Sequence, residues 1–136
     1  MSVKGAQLIA KARATIGWTK YETDIAAGHH ALKADEHPVL GGKDIGPAPF
    51  EYLLSGLGAC TAITLRMYAD RKEWPLEAIA VDLRYLRDGD TPRIERTISL
   101  TGSLTEEQRA RIAEIAEKTP VTLAIKGGVG IRTELR

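Results

Sequence analysis

Cys60 is the side chain with the most reactive chemistry in this sequence, because it is the only cysteine among 136 residues. A single cysteine cannot close a disulfide within the chain, and it does not suit a thiolate-rich metal site. A lone thiol can act as a nucleophile when a cation, a hydrogen bond or a helix N-terminus stabilises its thiolate. The alternative is that Cys60 fills space in the core, as free cysteines commonly do.

Glu51 is the second candidate, since it is the only acidic residue at the start of the helix that we predict around Cys60. It could orient a reacting thiol, or it could only favour the positive end of the helix by about 0.3–1 kcal/mol. At about 100° per residue, Glu51 and Cys60 fall on opposite faces of a straight helix, so we expect them to meet only across a dimer interface. The residues at helical-neighbour spacing from Cys60 are uncharged. An activating cation must therefore come from elsewhere in the fold or from a partner chain.

Two other groups of residues could bind a ligand, and the sequence favours neither. Metal-ligating residue types cluster in the N-terminal third, namely His29, His30, Asp35, Glu36 and His37. Their irregular spacing in a loop-like segment is not typical of a metal site. The glycine-rich run at residues 126–130 lacks the spacing of a phosphate loop, so it predicts a hairpin turn. We expect no metal and no cofactor.

The composition excludes several classes of protein. Nineteen Lys and Arg residues face eighteen Asp and Glu residues, and this near-neutral balance argues against a nucleic-acid partner. The start of the chain lacks the apolar core of a signal peptide. The longest uncharged stretch around Cys60, residues 52–65, is shorter than the roughly 20 residues that span a bilayer. We expect one cytoplasmic domain over residues 1–136, without a membrane partner.

The N-terminal half predicts strands followed by one long helix. Alternating apolar residues indicate strands at 8–18, 21–25 and 31–34, and a loop rich in glycine and proline follows. Pro49 suits a first helical position, and nothing forbids a helix from Phe50 to Lys72. Its first two-thirds is apolar nearly all round, which predicts burial on every side. A chain this short cannot wrap such a helix easily, whereas a homodimer that packs two copies together can.

The C-terminal half predicts a hairpin, a second helix and closing strands. Alternation at 79–85 and 94–100 flanks a turn at residues 88–92. Thr105 and Gln108 fit a capping box, and the helix that they open runs to about Lys118. Alternating apolar residues at 121–125 and 129–135 predict closing strands. The order is β-β-β-α-β-β-α-β, and strands arranged in hairpins make the class α+β with a mainly antiparallel sheet.

The central helix carries a family likeness. Residues 46–61 read GPAPFEYLLSGLGACT, which resembles the motif P-x-E-L-L-L-A-A-L-G-A-C-T of the OsmC/Ohr family. Residues 65–76 and the run GGVGIRT at 127–133 resemble an OsmC-like branch of that family. The likeness extends from about residue 10 to the end of the chain.

The resemblance implies an intertwined α+β homodimer, in which sheets wrap around two central helices packed back to back. Family members reduce organic hydroperoxides with a peroxidatic cysteine, which becomes a sulfenic acid, and Cys60 matches that position. A second cysteine, in a C-P-[VI] motif, then resolves the sulfenic acid as a disulfide that external thiols reduce. Here the corresponding position is Thr119, followed by Pro120 and Val121. A threonine cannot form a disulfide, so a sulfenic acid at Cys60 would need an external thiol.

Two functions follow from this likeness. The first is a one-cysteine, thiol-dependent peroxidase for small organic hydroperoxides, in which Cys60 is the nucleophile and Glu51 orients the reacting groups with a cation that the motif does not assign. The second is a dimeric binding or stress-related protein of the same family, in which Cys60 is structural. The absent second cysteine favours the second function, and the retained thiol favours the first.

Overall fold

The computed structural model describes residues 5–136, and it divides into two compact units. The first unit ends at Tyr52 and the second begins at Leu53. Among the described residues, no helix is long and apolar enough to cross a bilayer.

The first unit contains a three-stranded antiparallel sheet in the order β1-β2-β3, with β1 at Ala12–Ile16, β2 at Thr23–Ala27 and β3 at His30–Ala34. The predicted strands are confirmed, although β1 covers only the centre of the predicted span 8–18. The turn between β2 and β3 contains Gly28, whose φ of 60° is one that glycine adopts without steric cost. A 3-10 turn, Pro38–Leu40, follows the sheet.

One buried carboxylate, that of Asp35, organises the loop after β3. It accepts hydrogen bonds from the backbone N–H groups of Glu36 at 2.7 Å, Lys43 at 3.1 Å and Ile45 at 3.4 Å. Gly42 lies so close to the backbone of this loop that a Cβ would stand 2.0 Å from the carbonyl oxygen of Glu36. Burial alone raises the pKa of Asp35, but the three N–H donors outweigh it and hold the pKa below its ordinary value.

The low pKa of Asp35 predicts a specific loss of stability in acid. A carboxyl whose pKa falls on folding contributes stability above its unfolded pKa, and that stability disappears as the pH falls through the folded pKa. The free energy of unfolding should therefore drop below about pH 4 in the wild type, and more gently in Asp35→Ala. Asp90→Ala, in the exposed turn of the hairpin, serves as the control. Urea titrations across the acid range would contradict this if wild type and Asp35→Ala gave parallel curves.

The long helix α1, Pro49–Lys72, is confirmed at the predicted position. Its buried residues recur every fourth position and form one stripe, consisting of Leu57, Thr61, Leu65 and Ala69. The first two-thirds of the helix, for which we predict burial on every side, is not covered on every side within the single chain. On the opposite side, Ile63 is 53% exposed and Met67 is 58% exposed. Residues 5–136 of a single chain therefore leave the face of α1 opposite the buried stripe exposed.

The buried stripe of α1 belongs to the core of the second unit, beside an antiparallel hairpin. The hairpin consists of β4, Leu76–Asp88, and β5, Thr91–Gly102, and confirms the predicted hairpin. Gly58 allows close packing, because a Cβ there would stand 2.9 Å from Cδ1 of Leu83. Close packing therefore explains why glycine occupies position 58 of the helix. The group that packs against it is the side chain of Leu83, not another backbone.

The helix α2, Glu106–Ala116, begins with the predicted capping box. The Thr105 hydroxyl accepts the N–H of Gln108 at 3.1 Å, and the Gln108 side chain accepts the N–H of Thr105 at 2.9 Å. Ile112 and Ala116 pack with Leu65 in the core. The helix ends two residues earlier than predicted.

The predicted closing strands are wrong. Residues Pro120–Gly127 form a third helix, α3, and residues 128–136 have no regular secondary structure. The hairpin turn predicted at 126–130 is wrong for the same reason, because Gly127 is the last residue of this helix. A short apolar run fits a strand and a helix equally well, and here proline at the first helical position favours the helix. The α+β class, the antiparallel sheets and the long central helix are confirmed, and the order of elements is β-β-β-α-β-β-α-α.

Candidate functional site

The thiol of Cys60 lies at the N-terminus of α3. The side chain is half-buried on α1, and its Sγ accepts a hydrogen bond from the backbone N–H of Val121 at 3.4 Å. Val121 is the second residue of α3, and N–H groups of the first turn have no partner inside their own helix. Such groups carry the partial positive charge of the helix end. The residue therefore has a hydrogen-bond donor of the kind that reactive cysteines use.

Thr61, the next residue along α1, ties the thiol to the core. It is fully buried, and its hydroxyl donates to the carbonyl oxygen of Leu57 at 2.7 Å. The same hydroxyl oxygen accepts a hydrogen bond from Nη1 of Arg96 at 2.9 Å. The two hydrogen bonds of Thr61 hold this part of α1 in place, and they thereby fix the position of Cys60.

Arg96 connects three helices of the second unit. From β5, its Nη1 also donates to the hydroxyl of Thr122 in α3 at 2.9 Å. Its Nη2 donates to the carbonyl oxygen of Ala116, the last residue of α2, at 3.0 Å, and to the carboxylate of Glu117 at 3.3 Å. The side chain is only 12% exposed. A buried guanidinium is costly unless its N–H groups have partners, and these four acceptors supply them.

Arg96 is not among the site residues that we predict from the sequence, although the sequence contains a signal for it. Residues 94, 96, 98 and 100 share one face of β5, and three of them are the apolar Ile94, Ile98 and Leu100. An arginine on an apolar face of a strand is expected to point into the interior only if its guanidinium forms hydrogen bonds there. The guanidinium of Arg96 is thus a positive charge of the second unit, and it contacts Thr61, the residue next to Cys60.

Thr119, which we predict to stand where the family motif has its second cysteine, lies near the amide that donates to the thiol. It is the N-cap residue of α3, two residues before Val121, and it is fully buried. Its hydroxyl does not cap the helix but lies 2.6 Å from the hydroxyl of Thr122. The hydroxyl of Thr122 therefore links this residue to Arg96.

An ion pair closes the solvent side of this cluster. The ammonium group of Lys126 donates a hydrogen bond to Glu117, and this bond is the main cause that holds the pKa of Glu117 below its ordinary value. The positive charge of Arg96 acts in the same direction. Because Glu117 is shared between two cations, it neutralises neither of them fully.

A groove of about 380 Å³ lies beside the cluster. Apolar side chains and cations make up most of its lining, and no carboxylate contributes to it. The lining includes Leu57, Ile94, Arg96, Thr122, Ile125 and Lys126. Leu57 is one turn before Cys60 on α1, and Thr122 follows Val121, so the groove adjoins the residues that hold the thiol.

Glu51 lies in the first unit, at the start of α1. One carboxylate oxygen, Oε1, accepts the backbone N–H of Ala48 at 2.8 Å, and Oε2 is 3.6 Å from Nε2 of His37. This carboxylate therefore stabilises the start of α1. Its pairing with Cys60 remains a prediction.

The histidines do not converge on a common point. His37 lies between Glu51 and Asp44, whose Oδ1 is 3.7 Å from Nδ1 of the ring, and the rings of His29 and His30 stack on each other at 4.1 Å. Within residues 5–136, no three side chains of His, Cys, Asp or Glu come together as metal ligands would.

The fold is that of a known class of protein. Residues 41–134 match the sequence profile of the family described as OsmC-like protein. The chain belongs to this family. No sequence among the curated proteins matches the chain.

Solved structures share the fold at low sequence identity. An OsmC-like protein from Mycoplasma pneumoniae is 18% identical, with a TM-score of 0.76 and coverage of 90% of both chains. An organic hydroperoxide resistance protein OsmC from Legionella pneumophila is 21% identical, with a TM-score of 0.66 and coverage of 90% of this chain and 93% of that one. An organic hydroperoxide resistance protein from Elizabethkingia anophelis is 17% identical, with a TM-score of 0.66 and coverage of 91% and 92%.

The hydrogen bond from Ala48 to Glu51 predicts different effects for two substitutions. Glu51→Ala removes the acceptor for that N–H and should lower the free energy of unfolding by about 1 kcal/mol. Glu51→Gln keeps an acceptor oxygen, so it should stay within about 0.5 kcal/mol of the wild type. Urea denaturation followed by circular dichroism measures both. Equal losses in the two variants would mean that charge, and not the acceptor, accounts for the stability.

Proposed function

We propose that the protein is a thiol-dependent peroxidase that reduces organic hydroperoxides, with Cys60 as its nucleophile. The observation that carries this proposal is the hydrogen bond from the N-terminal amide of α3 to Sγ of Cys60. A cysteine that merely fills space has no need of such a donor, whereas a reacting thiolate does. Membership of the OsmC-like family supports the same chemistry.

The reaction begins with the thiolate of Cys60 attacking the terminal oxygen of the hydroperoxide. A sulfur–oxygen bond forms as the oxygen–oxygen bond breaks, and the departing alkoxide takes a proton to become an alcohol. Cys60 is thereby oxidised to a sulfenic acid by two electrons. The N–H of Val121 is placed to stabilise the negative charge on sulfur before the attack.

An external thiol must complete the cycle, because the chain has no second cysteine. The first external thiol displaces water from the sulfenic acid and leaves a mixed disulfide with Cys60. A second external thiol attacks that mixed disulfide, releasing the reduced enzyme and an oxidised disulfide. Thr119 occupies the position where the family motif has its own resolving thiol, and this threonine replacement is part of the proposal.

An organic rather than a purely inorganic peroxide suits the surroundings of the site. The groove next to the thiol cluster has apolar walls that can bury the organic group of a substrate. The proteins from Legionella pneumophila and Elizabethkingia anophelis are named for organic hydroperoxide resistance. We propose the same substrate class here, with a cytoplasmic location where external thiols are available.

The functional unit that we propose is a homodimer. The exposed apolar face of α1, which includes Ile63 and Met67, needs a partner, and a second copy of the same helix supplies a matching surface. The exposed apolar residues Val129, Ile131 and Leu135 add further unpaired surface. In such a dimer, Glu51 of one protomer could approach Cys60 of the other, as the positions of the two residues on the helix suggest.

Cys60 should be indispensable for turnover. Stopped-flow assays with cumene hydroperoxide and an external dithiol should give turnover for the wild type and none for Cys60→Ser, since a hydroxyl is a far weaker nucleophile than a thiolate.

Glu51→Gln, which preserves the hydrogen bond to Ala48, should turn over more slowly than the wild type. Thr119→Cys should form an intramolecular disulfide on addition of peroxide, detected by intact mass.

The non-catalytic alternative gives the opposite results. A wild-type protein that consumes no hydroperoxide, and whose thiol resists alkylation until the protein unfolds, would be a binding or structural member of the family. The buried hydrogen bond between the hydroxyls of Thr119 and Thr122 is the observation that favours this reading.

The dimer predicts that a charge on the exposed face of α1 is disruptive. Ile63→Lys should dissociate the protein to single chains, because a buried, unpaired ammonium group is strongly unfavourable in an interface. Ala110→Lys adds the same charge to an exposed position of α2 and should leave the mass unchanged. Sedimentation velocity measures both variants. A wild type that sediments as a single chain would contradict the dimer.

A further inference from the structure

We propose that Arg96 is the positioning residue of the thiol site, because its guanidinium holds the N-terminus of α3 against Sγ of Cys60. The catalytic consequence of this role rests on the proposed peroxidase function, whereas the effect on the thiol itself does not. Arg96 acts through its neighbours, since the contacts that it makes are to residues flanking the thiol and its donor.

One nitrogen atom of Arg96 binds residues on both sides of the thiol hydrogen bond. Nη1 of Arg96 donates to the hydroxyls of Thr61 and Thr122, both at 2.9 Å. Thr61 follows Cys60 on α1, and Thr122 follows Val121 on α3. The two residues that share the N–H···S hydrogen bond are therefore each adjacent to a residue that Arg96 holds. A single planar group fixes both sides of that hydrogen bond.

The helix α3 needs such an anchor because, apart from Pro120 at its first position, little in its own sequence stabilises it. It has eight residues, whereas isolated helices shorter than about 12–15 residues are marginal in water. Its N-cap residue, Thr119, makes no capping hydrogen bond from its side chain. Two of its apolar residues, Leu123 and Ile125, are exposed in the single chain. Its contacts with Arg96 and the core therefore decide where its first turn lies.

The second nitrogen completes the anchor. Nη2 donates to the carbonyl oxygen of Ala116 and to Glu117, so the guanidinium also binds the end of α2 that leads into α3. A cation at the C-terminus of a helix is favourable, because unpaired carbonyl groups carry partial negative charge there. Lysine could not replace this arrangement, since an ammonium group lacks the planar set of donors that reaches acceptors on three helices.

The test compares two arginines of the second unit that both bind backbone carbonyl groups. Arg66, on α1, donates to the carbonyl oxygens of Leu76 and Glu77, which lie at the start of β4. Arg96→Gln and Arg66→Gln should both lower stability, as buried or half-buried hydrogen bonds are lost. Only Arg96→Gln should change the chemistry of Cys60.

The readout is the rate of Cys60 alkylation by iodoacetamide in the folded protein, taken as the ratio of rates near pH 6.5 and near pH 9.5. Loss of access to the thiol changes both rates equally, whereas loss of thiolate stabilisation lowers the ratio. We expect Arg96→Gln to lower the ratio about tenfold and Arg66→Gln to leave it within about twofold. Hydrogen exchange of the Val121 amide should accelerate in Arg96→Gln only.

A second pair of variants covers the case in which Arg96→Gln does not fold. Thr122→Val removes the hydroxyl that accepts from Arg96, and Thr122→Ser keeps it. We expect a lowered ratio of alkylation rates in Thr122→Val and a wild-type ratio in Thr122→Ser. Unchanged ratios in Arg96→Gln, or in Thr122→Val where Arg96→Gln is unfolded, would overturn it.

The proposed peroxidase function fails by a different measurement. In one outcome, the wild type alkylates rapidly near pH 6.5 and the ratio of alkylation rates depends on Arg96, but the protein does not reduce cumene hydroperoxide. This result supports the positioning role and contradicts the peroxidase function. In the other outcome, the protein reduces hydroperoxide but the ratio does not depend on Arg96, which supports the peroxidase function and contradicts the positioning role.

Discussion

A guanidinium removed from water must find acceptors for its N–H groups, and this requirement organises the second unit. Arg96 reaches from the hairpin to α1, to the end of α2 and to the first turn of α3. The interior around it is polar, because fully buried hydroxyls replace apolar side chains at Thr61 and Thr119. The apolar core of Leu65, Ile112 and Ala116 lies in the same unit. The helix ends are thus joined by hydrogen bonds, which fix direction more strictly than apolar packing.

The elements that the sequence predicts correctly are those whose signals are local. The capping box of α2 is contained in four consecutive residues, and the hairpin has alternation on both sides of a clear turn. The central helix follows from Pro49 and an uninterrupted run of helix-compatible residues. The family motif around Cys60 locates the thiol on this helix for the same reason. In each case the interactions that decide the structure lie within a few residues of each other.

The elements that the sequence does not predict depend on contacts between distant residues. The segment after Thr119 has an alternation that suits a strand, and the choice of a helix depends on a proline start and on partners elsewhere in the unit. Arg96 contacts Thr61 across 35 positions and Thr122 across 26. Its role is hidden in a strand whose other inward residues are apolar. The exposed face of α1 is also not predicted, because the pattern of apolar residues indicates that a face needs burial but not which chain covers it.

The donor to the thiol arrives late during synthesis, since Val121 follows Cys60 by 61 positions. At about 5–20 residues per second, a ribosome needs about 3–12 s to add that segment. During this interval the nascent chain carries Cys60 without the amide that α3 later provides. The N–H···S hydrogen bond thus forms only after the C-terminal helix has docked. Docking of α3 therefore determines when Cys60 acquires its hydrogen-bond donor.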